Sequence, residues 1–178
     1  MEIDIKKKLV KNWFKILQDM ICIDIEKIEK NKIKFISNHW KKNNKKDEGG
    51  GEYRILENGK VFEKVGVNFS EVYGKFSKEF KKKIPGTNSN PNFWASGISV
   101  VMHMKNPHVP AMHFNTRYIY TSFGWFGGGM DVTPCVEDKN IHHIVFYNFY
   151  NIFYYDNHIF FLILCETNFL DFCHLNKG

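Results

Sequence analysis

Two stretches of alternating residues, 98–103 and 112–120, constrain the fold of this chain more than any other feature. Successive side chains of a β-strand point to opposite faces, so the alternation predicts two strands. The loop between them is short and contains Pro107 and Pro110, which favours antiparallel pairing. One face of the predicted sheet then collects a hydroxyl, two imidazoles, an amide and a guanidinium, from Ser99, His103, His113, Asn115 and Arg117.

These polar side chains predict an anion-binding pocket. Arg117 on an inward face needs a carboxylate partner, either Asp131 of the protein or a ligand. Asp131 follows Gly127–Gly129, where a backbone can lie flat against a planar ligand, and these glycines match no phosphate-binding loop. Two histidines on adjacent strands can bind a divalent metal ion or relay protons. The residues alone do not name a reaction.

The other face of the second strand is predicted to pack against the rest of the protein. Its side chains are those of Met112, Phe114, Thr116, Tyr118 and Tyr120.

The whole chain is predicted to be an α+β domain, an antiparallel β-sheet flanked by α-helices. Its 178 residues, 43% of them hydrophobic, suffice for one domain with a buried core. Four further elements are predicted: an amphipathic helix from Ile5 to about Met20 that continues or restarts toward Ile28, a strand at 33–36, a hairpin turn at Asn58-Gly59, and a short basic helix over 76–84.

Charge and cysteine content narrow the class of protein. The formal net charge of +6 comes largely from lysine runs in the first half, which form either a solvated surface or a site for an acidic ligand. Arginine is rare and no nucleic-acid-binding motif is present, so nucleic acid is not an expected partner. The four cysteines form no Cys-x-x-Cys pair. The sequence shows no signal peptide, and its most apolar run, Ile159 to Leu164, is far shorter than the roughly 20 residues of a membrane helix. We expect a cytoplasmic protein without a membrane partner.

Four blocks between about Leu9 and Asp138 carry a more specific pattern. They are Gly-Gly-Gly-Glu-Tyr-Arg-Ile-Leu from Gly49 with Gly-Lys-Val-Phe-Glu-Lys-Val-Gly-Val-Asn-Phe-Ser from Gly59, Ser-Val-Val-Met-His from Ser99, Asn-Pro-His-Val-Pro-Ala-Met-His-Phe-Asn-Thr-Arg-Tyr from Asn106, and Trp-Phe-Gly-Gly-Gly-Met-Asp-Val-Thr-Pro from Trp125. In order and spacing together, these blocks resemble the oxygen-dependent coproporphyrinogen-III oxidases of heme biosynthesis.

The resemblance implies a reaction and roles for individual residues. Members of this family use molecular oxygen as co-substrate, without flavin or heme, for the oxidative decarboxylation of two propionates of coproporphyrinogen III to vinyl groups, which gives protoporphyrinogen IX. They are cytoplasmic homodimers, and a requirement for a divalent metal cation is not uniform among them. The resemblance implies His113 as proton donor and Asp131 as the carboxylate that faces the pyrrole nitrogens. The implied substrate contacts are Ser99, Asn115, Thr116 and Arg117, and the implied metal ligands are His103, His113 and His143.

Residues 139–178 depart from the family pattern. This tail is rich in aromatic residues and asparagine, and it lacks the Lys-His-Arg and Gly-Gly-Arg segments with which family members continue. We therefore expect residues 1–138 to be the amino-terminal part of an incomplete oxidase domain, and the tail to be foreign to it through truncation or a shifted reading frame. Two interpretations stay open: an enzyme with the family's activity, or a non-catalytic remnant that at most binds porphyrinogens.

Overall fold

A computed structural model describes residues 2–79, 84–87 and 90–136 of the chain. Within these ranges the protein forms one long helix followed by six strands. The elements are α1 (Glu2–Ile28), β1 (Ile36–Lys41), β2 (Gly49–Glu57), β3 (Phe62–Lys75), β4 (Asn92–Met104), β5 (Ala111–Tyr120) and β6 (Gly124–Thr133). Each strand pairs antiparallel with the next, so the order in the sheet is β1-β2-β3-β4-β5-β6. The predicted α+β class with an antiparallel sheet is confirmed.

Helix α1 covers one face of the sheet, where it packs on β3 and β4. Its buried residues recur every three or four positions, which places them on a single side of the helix. They meet apolar side chains from alternate positions of the strands, and these residues together form the core. The helix contributes Val10, Phe14, Cys22 and Ile25, and the sheet contributes Leu56, Phe62, Val65, Val67, Phe69, Trp94, Ile98, Val100 and Tyr118.

Two buried polar side chains fasten the helical segment to the sheet. Gln18 is 1% exposed, and its amide Nε2 donates to the carbonyls of Glu52 and Val67 at 3.0 Å each. Glu29, directly after α1, is 3% exposed and accepts backbone hydrogen bonds from residues 60–62 in the turn between β2 and β3. Because each polar group has its partners, burial leaves these atoms satisfied and fixes where the helix lies along the strands.

The opposite side of α1 carries a second apolar stripe. Its residues follow one another at intervals of three or four and each is at least half exposed in the structure: Ile5, Leu9, Trp13, Ile16, Met20 and Ile23. A helix that is apolar on two sides is typical of an element lying between two layers. In the part of the chain that the structure describes, no helix has the length and apolar character needed to cross a membrane.

Most predicted elements appear, and one begins later than expected. The hairpin at Asn58-Gly59 joins β2 to β3, and α1 continues without a break to Ile28. The strand predicted at 33–36 is wrong in position, because β1 starts only at Ile36. The cause is a contact with helix α1. The backbone N–H of Phe35 donates to Glu26 Oε1 at 3.0 Å, so it is not available to pair with a neighbouring strand.

The basic helix predicted over 76–84 is wrong for the residues that can be compared: residues 76–79 are irregular with a turn at 78–79, and residue 84 is a bend. Phe76 instead stays at the end of the sheet. Its backbone N–H donates to the carbonyl of Pro91 at 2.9 Å, and its ring stacks on that of Phe93 with centroids 4.5 Å apart. These contacts extend the β3–β4 pairing and replace the first helical turn. Residues 80–83 lie outside the described ranges.

Candidate functional site

The sheet face turned away from α1 carries the candidate site, and we call it the polar face. Strand register aligns Asn68, Ser99, Asn115 and Gly129 in one row across β3 to β6. The next row contains Gly66, Val101, His113 and Asp131, and the row on the other side contains Ser70, Gly97, Arg117 and Gly127. The predicted convergence of side chains from two adjacent antiparallel strands is confirmed.

Four predicted residues of the polar face form one hydrogen-bonded network. Ser99 Oγ lies 3.4 Å from His113 Nε2, and Asn115 Nδ2 lies 3.5 Å from the same nitrogen. Arg117 Nη2 donates to Asn115 Oδ1 at 2.9 Å. Because the guanidinium occupies the amide oxygen of Asn115, the NH₂ group of that amide is the part turned toward His113. The network therefore has a defined direction, from guanidinium through amide to imidazole.

Burial, the neighbouring charges and the hydrogen bonds of the network together determine the protonation state of His113. The pKa of this imidazole is lowered, and burial is the largest cause. The charge of Asp131 raises the pKa, and the charge of Arg117 lowers it further. His113 is therefore neutral at pH 7. The hydroxyl of Ser99 and the amide of Asn115 are both donors aimed at Nε2, so the neutral ring accepts there and carries its proton on Nδ1. In this state Nε2 is a proton acceptor, and the implied role of proton donor requires Nε2 to take up a proton first.

Of the two partners considered for Arg117, Asp131 and a ligand, the structure does not pair Arg117 with Asp131. Asp131 lies opposite His113 in the β5–β6 register, whereas Arg117 lies opposite Gly127. Asp131 Oδ1 accepts a hydrogen bond from Thr133 Oγ1 at 3.0 Å. Arg117 is exposed, and within the residues described here no carboxylate forms an ion pair with it. The alternative stated for this guanidinium, an anionic ligand as partner, fits its position.

Three glycines keep the polar face open. A Cβ built on Gly66, Gly127 or Gly129 would meet no atom within 4 Å. Gly129 lies beside Asn115, and Gly127 lies beside Arg117. The backbone of β6 is therefore bare next to the two strongest donors of the network, and it forms a flat floor on which a planar ligand can lie.

Two other predicted site residues lie apart from this network. The side chain of Thr116 is on the α1 side of the sheet, because it alternates with Asn115 and Arg117, and its Oγ1 contacts the carbonyl of Gly127 at 3.5 Å. This side chain therefore points away from the polar face, and the implied substrate contact of Thr116 stays a prediction. His103 is on the polar face, but its cross-strand partner is Lys64, and it is only a diagonal neighbour of His113.

The residues available for a divalent metal ion are few. His143, the third implied ligand, lies outside the described ranges. Among the residues that the structure does describe, no group of three or more His, Cys, Asp or Glu side chains is arranged to hold a metal ion. His103 and His113 therefore do not make a metal site by themselves.

A cavity of about 510 Å³ lies on the other side of the sheet, between the first half of α1 and the β1–β2 loop. None of the predicted site residues lines it. It is rich in lysine, but Lys11 pairs with Glu71 at 2.5 Å, and the ammonium of Lys15 lies 5.5 Å from the ring centroid of Phe69. Because no described residue that the resemblance implies lines this cavity, the polar face stays the candidate site.

Comparison with known proteins assigns the chain to a family. A family model described as Coproporphyrinogen III oxidase matches residues 9–169. The chain belongs to the coproporphyrinogen III oxidase family. Proteins named oxygen-dependent coproporphyrinogen-III oxidase from Rickettsia africae (strain ESF-5), Rickettsia felis (strain ATCC VR-1525 / URRWXCal2) and Rickettsia typhi (strain ATCC VR-144 / Wilmington) are each 48% identical to this chain over 142 residues, which cover 75% of this chain and 50% of each relative.

The chain spans about half the length of the curated relatives it matches. The match to the family model runs past residue 138, the predicted end of the oxidase-like part, and the structure describes nothing beyond residue 136. That boundary stays a prediction.

The coproporphyrinogen oxidase blocks of the sequence meet on the polar face. The second contributes Ser99, the third contributes His113, Asn115 and Arg117, and the fourth contributes Asp131 and the glycine floor. The first block supplies Asn68, which sequence reasoning missed as a site residue. A signal was present, because Val65, Val67 and Phe69 alternate with Gly66, Asn68 and Ser70 and so place Asn68 on the face opposite the core.

Proposed function

We propose that this chain binds coproporphyrinogen III on the polar face and catalyses its oxygen-dependent oxidative decarboxylation to protoporphyrinogen IX. The observation that carries the proposal is the network from Ser99 to Arg117 beside the glycine floor. The substrate is a macrocycle with four carboxylates. Arg117 and Asn115 are suited to bind a carboxylate, and Asp131 is suited to accept hydrogen bonds from pyrrole N–H groups.

The reaction places separate demands on these residues. For each propionate, one O₂ and one proton are consumed, and one vinyl group, one CO₂ and one H₂O₂ are formed. In the proposed sequence Asp131 favours loss of a pyrrole proton, oxygen adds to the electron-rich ring, and the resulting peroxide takes a hydrogen from the β-carbon as CO₂ leaves. His113 is neutral and its Nε2 accepts from Ser99 and Asn115; in the proposed sequence this nitrogen takes up a proton and returns it as the implied donor.

Several parts of the proposal rest on the family resemblance alone. These are molecular oxygen as the oxidant without flavin or heme, a homodimer, and the cytoplasm as location. A divalent metal ion would use His103 and His113 together with ligands from outside the described residues, and no step of the sequence above depends on one.

The test is an assay that begins without oxygen. The purified chain is mixed with coproporphyrinogen III under nitrogen, air is admitted, and protoporphyrin fluorescence is followed. Formation of protoporphyrin in proportion to protein supports the proposal and rejects the interpretation as a non-catalytic remnant. Binding without turnover supports the remnant. Absence of both binding and turnover overturns the proposed function.

Two variants separate binding from chemistry in the same assay. Arg117→Ala removes an exposed guanidinium and is expected to weaken binding by about tenfold, the usual effect of losing a charge-assisted hydrogen bond. Asp131→Asn keeps the side-chain shape and is expected to abolish turnover with little change in binding. Full turnover by Asp131→Asn would contradict the role given to this carboxylate.

A further inference from the structure

Asn68 lies at one end of the row that also contains Ser99, Asn115 and Gly129, and its side chain is half-buried. Its Oδ1 accepts a hydrogen bond from Trp40 Nε1 at 2.9 Å. An indole nitrogen can only donate, so the oxygen of the amide must face Trp40. The NH₂ group of Asn68 is thereby held on the side of the amide away from the indole.

The position of Trp40 is itself fixed by packing. A Cβ built on Gly51 would meet the carbonyl oxygen of Phe69 and would also lie 2.8 Å from Trp40 Nε1 and 2.9 Å from Trp40 Cε2, so the indole lies directly on the backbone of β2. Only glycine at this position leaves room for the ring. The absence of a side chain at Gly51 lets Trp40 on β1 reach across β2 to Asn68 on β3.

The NH₂ group of Asn68 has two donors and, within the described ranges, no acceptor. Asn68 lies on the polar face, so an acceptor on a ligand bound there can take the place of water at these two donors. Strand spacing places Asn68 about 5 Å from Ser99 and about 10 Å from Asn115. Asn68 therefore lies two strands from Arg117, on the side of β5 that faces away from the glycine floor of β6, at a distance suited to another carboxylate of the same macrocycle.

We propose that Asn68 is a further substrate-binding residue, whose amide donates to a second carboxylate of the porphyrinogen, and that Trp40 is a positioning residue that fixes the direction of this amide. The inference rests on the proposed function, since it takes the tetracarboxylate macrocycle as ligand. It adds a contact on β3 to the residues that the resemblance implies on β4, β5 and β6.

The test uses coproporphyrin III, the oxidised and fluorescent macrocycle with the same four carboxylates, titrated with the full chain. Asn68→Asp replaces the NH₂ donors with a negatively charged carboxylate oxygen. This change is expected to weaken binding by at least about tenfold, because the new carboxylate repels the carboxylate of the ligand. Asn38→Asp is the matched control. It makes the same chemical change at an exposed position on the same face two strands away, and it is expected to change affinity by less than about twofold.

A double-mutant cycle tests the role of Trp40. Trp40→Phe keeps a ring over Gly51 and removes the N–H, so the amide can turn, and affinity should fall about as far as in Asn68→Ala, by roughly fivefold. In the Asn68→Ala background, Trp40→Phe should have no further effect, a result that a merely structural role would not give. Circular dichroism of each variant checks that it folds.

The outcomes separate this inference from the proposed function. If the unmodified chain neither binds coproporphyrin III nor converts coproporphyrinogen III, both fail. If it binds and Arg117→Ala weakens binding while Asn68→Asp and Trp40→Phe leave it unchanged, the role of Asn68 is refuted and the proposed function stands. Additive losses from Trp40→Phe and Asn68→Ala would refute the positioning role of Trp40.

Discussion

The carboxylate of Glu29 connects the end of α1 to the β2–β3 turn, and removing it should measurably destabilise the fold. Its Oε2 accepts from the backbone N–H of Lys60 at 2.7 Å, and its Oε1 accepts from those of Val61 and Phe62 at 2.8 Å each. The side chain is 3% exposed. Burial raises the pKa of this carboxyl, but the hydrogen bonds from Phe62, Lys60 and Val61 together outweigh burial and hold the pKa below its ordinary value.

The size of the stability loss depends on which of the three backbone N–H groups can bind water once the carboxylate of Glu29 is removed. In Glu29→Ala, the N–H groups of Lys60 and Val61 belong to exposed residues and regain water, whereas Phe62 is 4% exposed and its N–H stays buried. An unsatisfied buried donor costs about 1–3 kcal/mol, and a lost hydrogen bond to a charged group costs about 1.5–3 kcal/mol before water replaces it. We expect Glu29→Ala to lower the free energy of unfolding by about 3 kcal/mol.

Urea denaturation followed by circular dichroism measures this loss, and Glu29→Gln supplies a matched control. Glutamine keeps one acceptor oxygen for Val61 and Phe62 but places an NH₂ group against the N–H of Lys60, so a smaller loss of about 1–2 kcal/mol is expected. A loss below about 0.5 kcal/mol in Glu29→Ala, the level of a neutral surface substitution, would refute the reasoning.

The pH dependence of the unfolding free energy gives a second test of the role of Glu29. Because the pKa of Glu29 is lower in the folded than in the unfolded chain, its charged form contributes stability that is complete above the unfolded pKa of about 4.3 and is lost as pH falls through the folded pKa. The difference in unfolding free energy between the unmodified chain and Glu29→Gln should therefore be constant near neutral pH and shrink below about pH 4. A difference that grows on acidification would contradict the direction of the shift.

Two further predictions concern the helix side of the sheet. Gln18→Leu removes one hydrogen bond from each of the carbonyls of Glu52 and Val67. Urea denaturation should show a free energy of unfolding lower by about 2 kcal/mol. The control, Asn12→Leu on the exposed side of α1, should change it by less than about 0.5 kcal/mol. Burial raises the pKa of the Cys22 thiol to about 11, so iodoacetamide at pH 8 should leave Cys22 unmodified in the folded chain and modify exposed Cys135, as peptide mass spectrometry would show.

Local patterns in the sequence predict the strands, and long-range contacts account for the errors. Alternation identified β4 and β5, and Asn58-Gly59 identified the turn between β2 and β3, because each signal lies within a few residues of the element it defines. The late start of β1 depends on Glu26, and the irregular segment after β3 depends on Phe93. Neither Glu26 nor Phe93 lies among the residues whose pattern gave the prediction, 33–36 and 76–84.

The same distinction applies to the candidate site. Alternation correctly assigns Ser99, His113, Asn115 and Arg117 to one face, but it does not give the register between β5 and β6, and the register decides that Asp131 lies opposite His113. The alternation of β3 also contained the signal for Asn68. The contact of Trp40 with Asn68 was beyond prediction, since it depends on an indole crossing a whole strand at Gly51.

The glycines of the polar face give the most direct test of whether this surface exists to hold a ligand. Glycine within a strand costs about 0.5–1 kcal/mol relative to alanine, and Gly129 needs neither a positive φ nor space beside a neighbouring atom. Nothing in the described fold therefore requires it. Gly129→Ala should raise the free energy of unfolding by about 0.5–1 kcal/mol and weaken binding of coproporphyrin III, because the added methyl group would stand on the floor beside Asn115. Stability and binding changing in opposite directions in one variant would show that the bare backbone serves the ligand, whereas unchanged binding would mean that the macrocycle does not lie on β6.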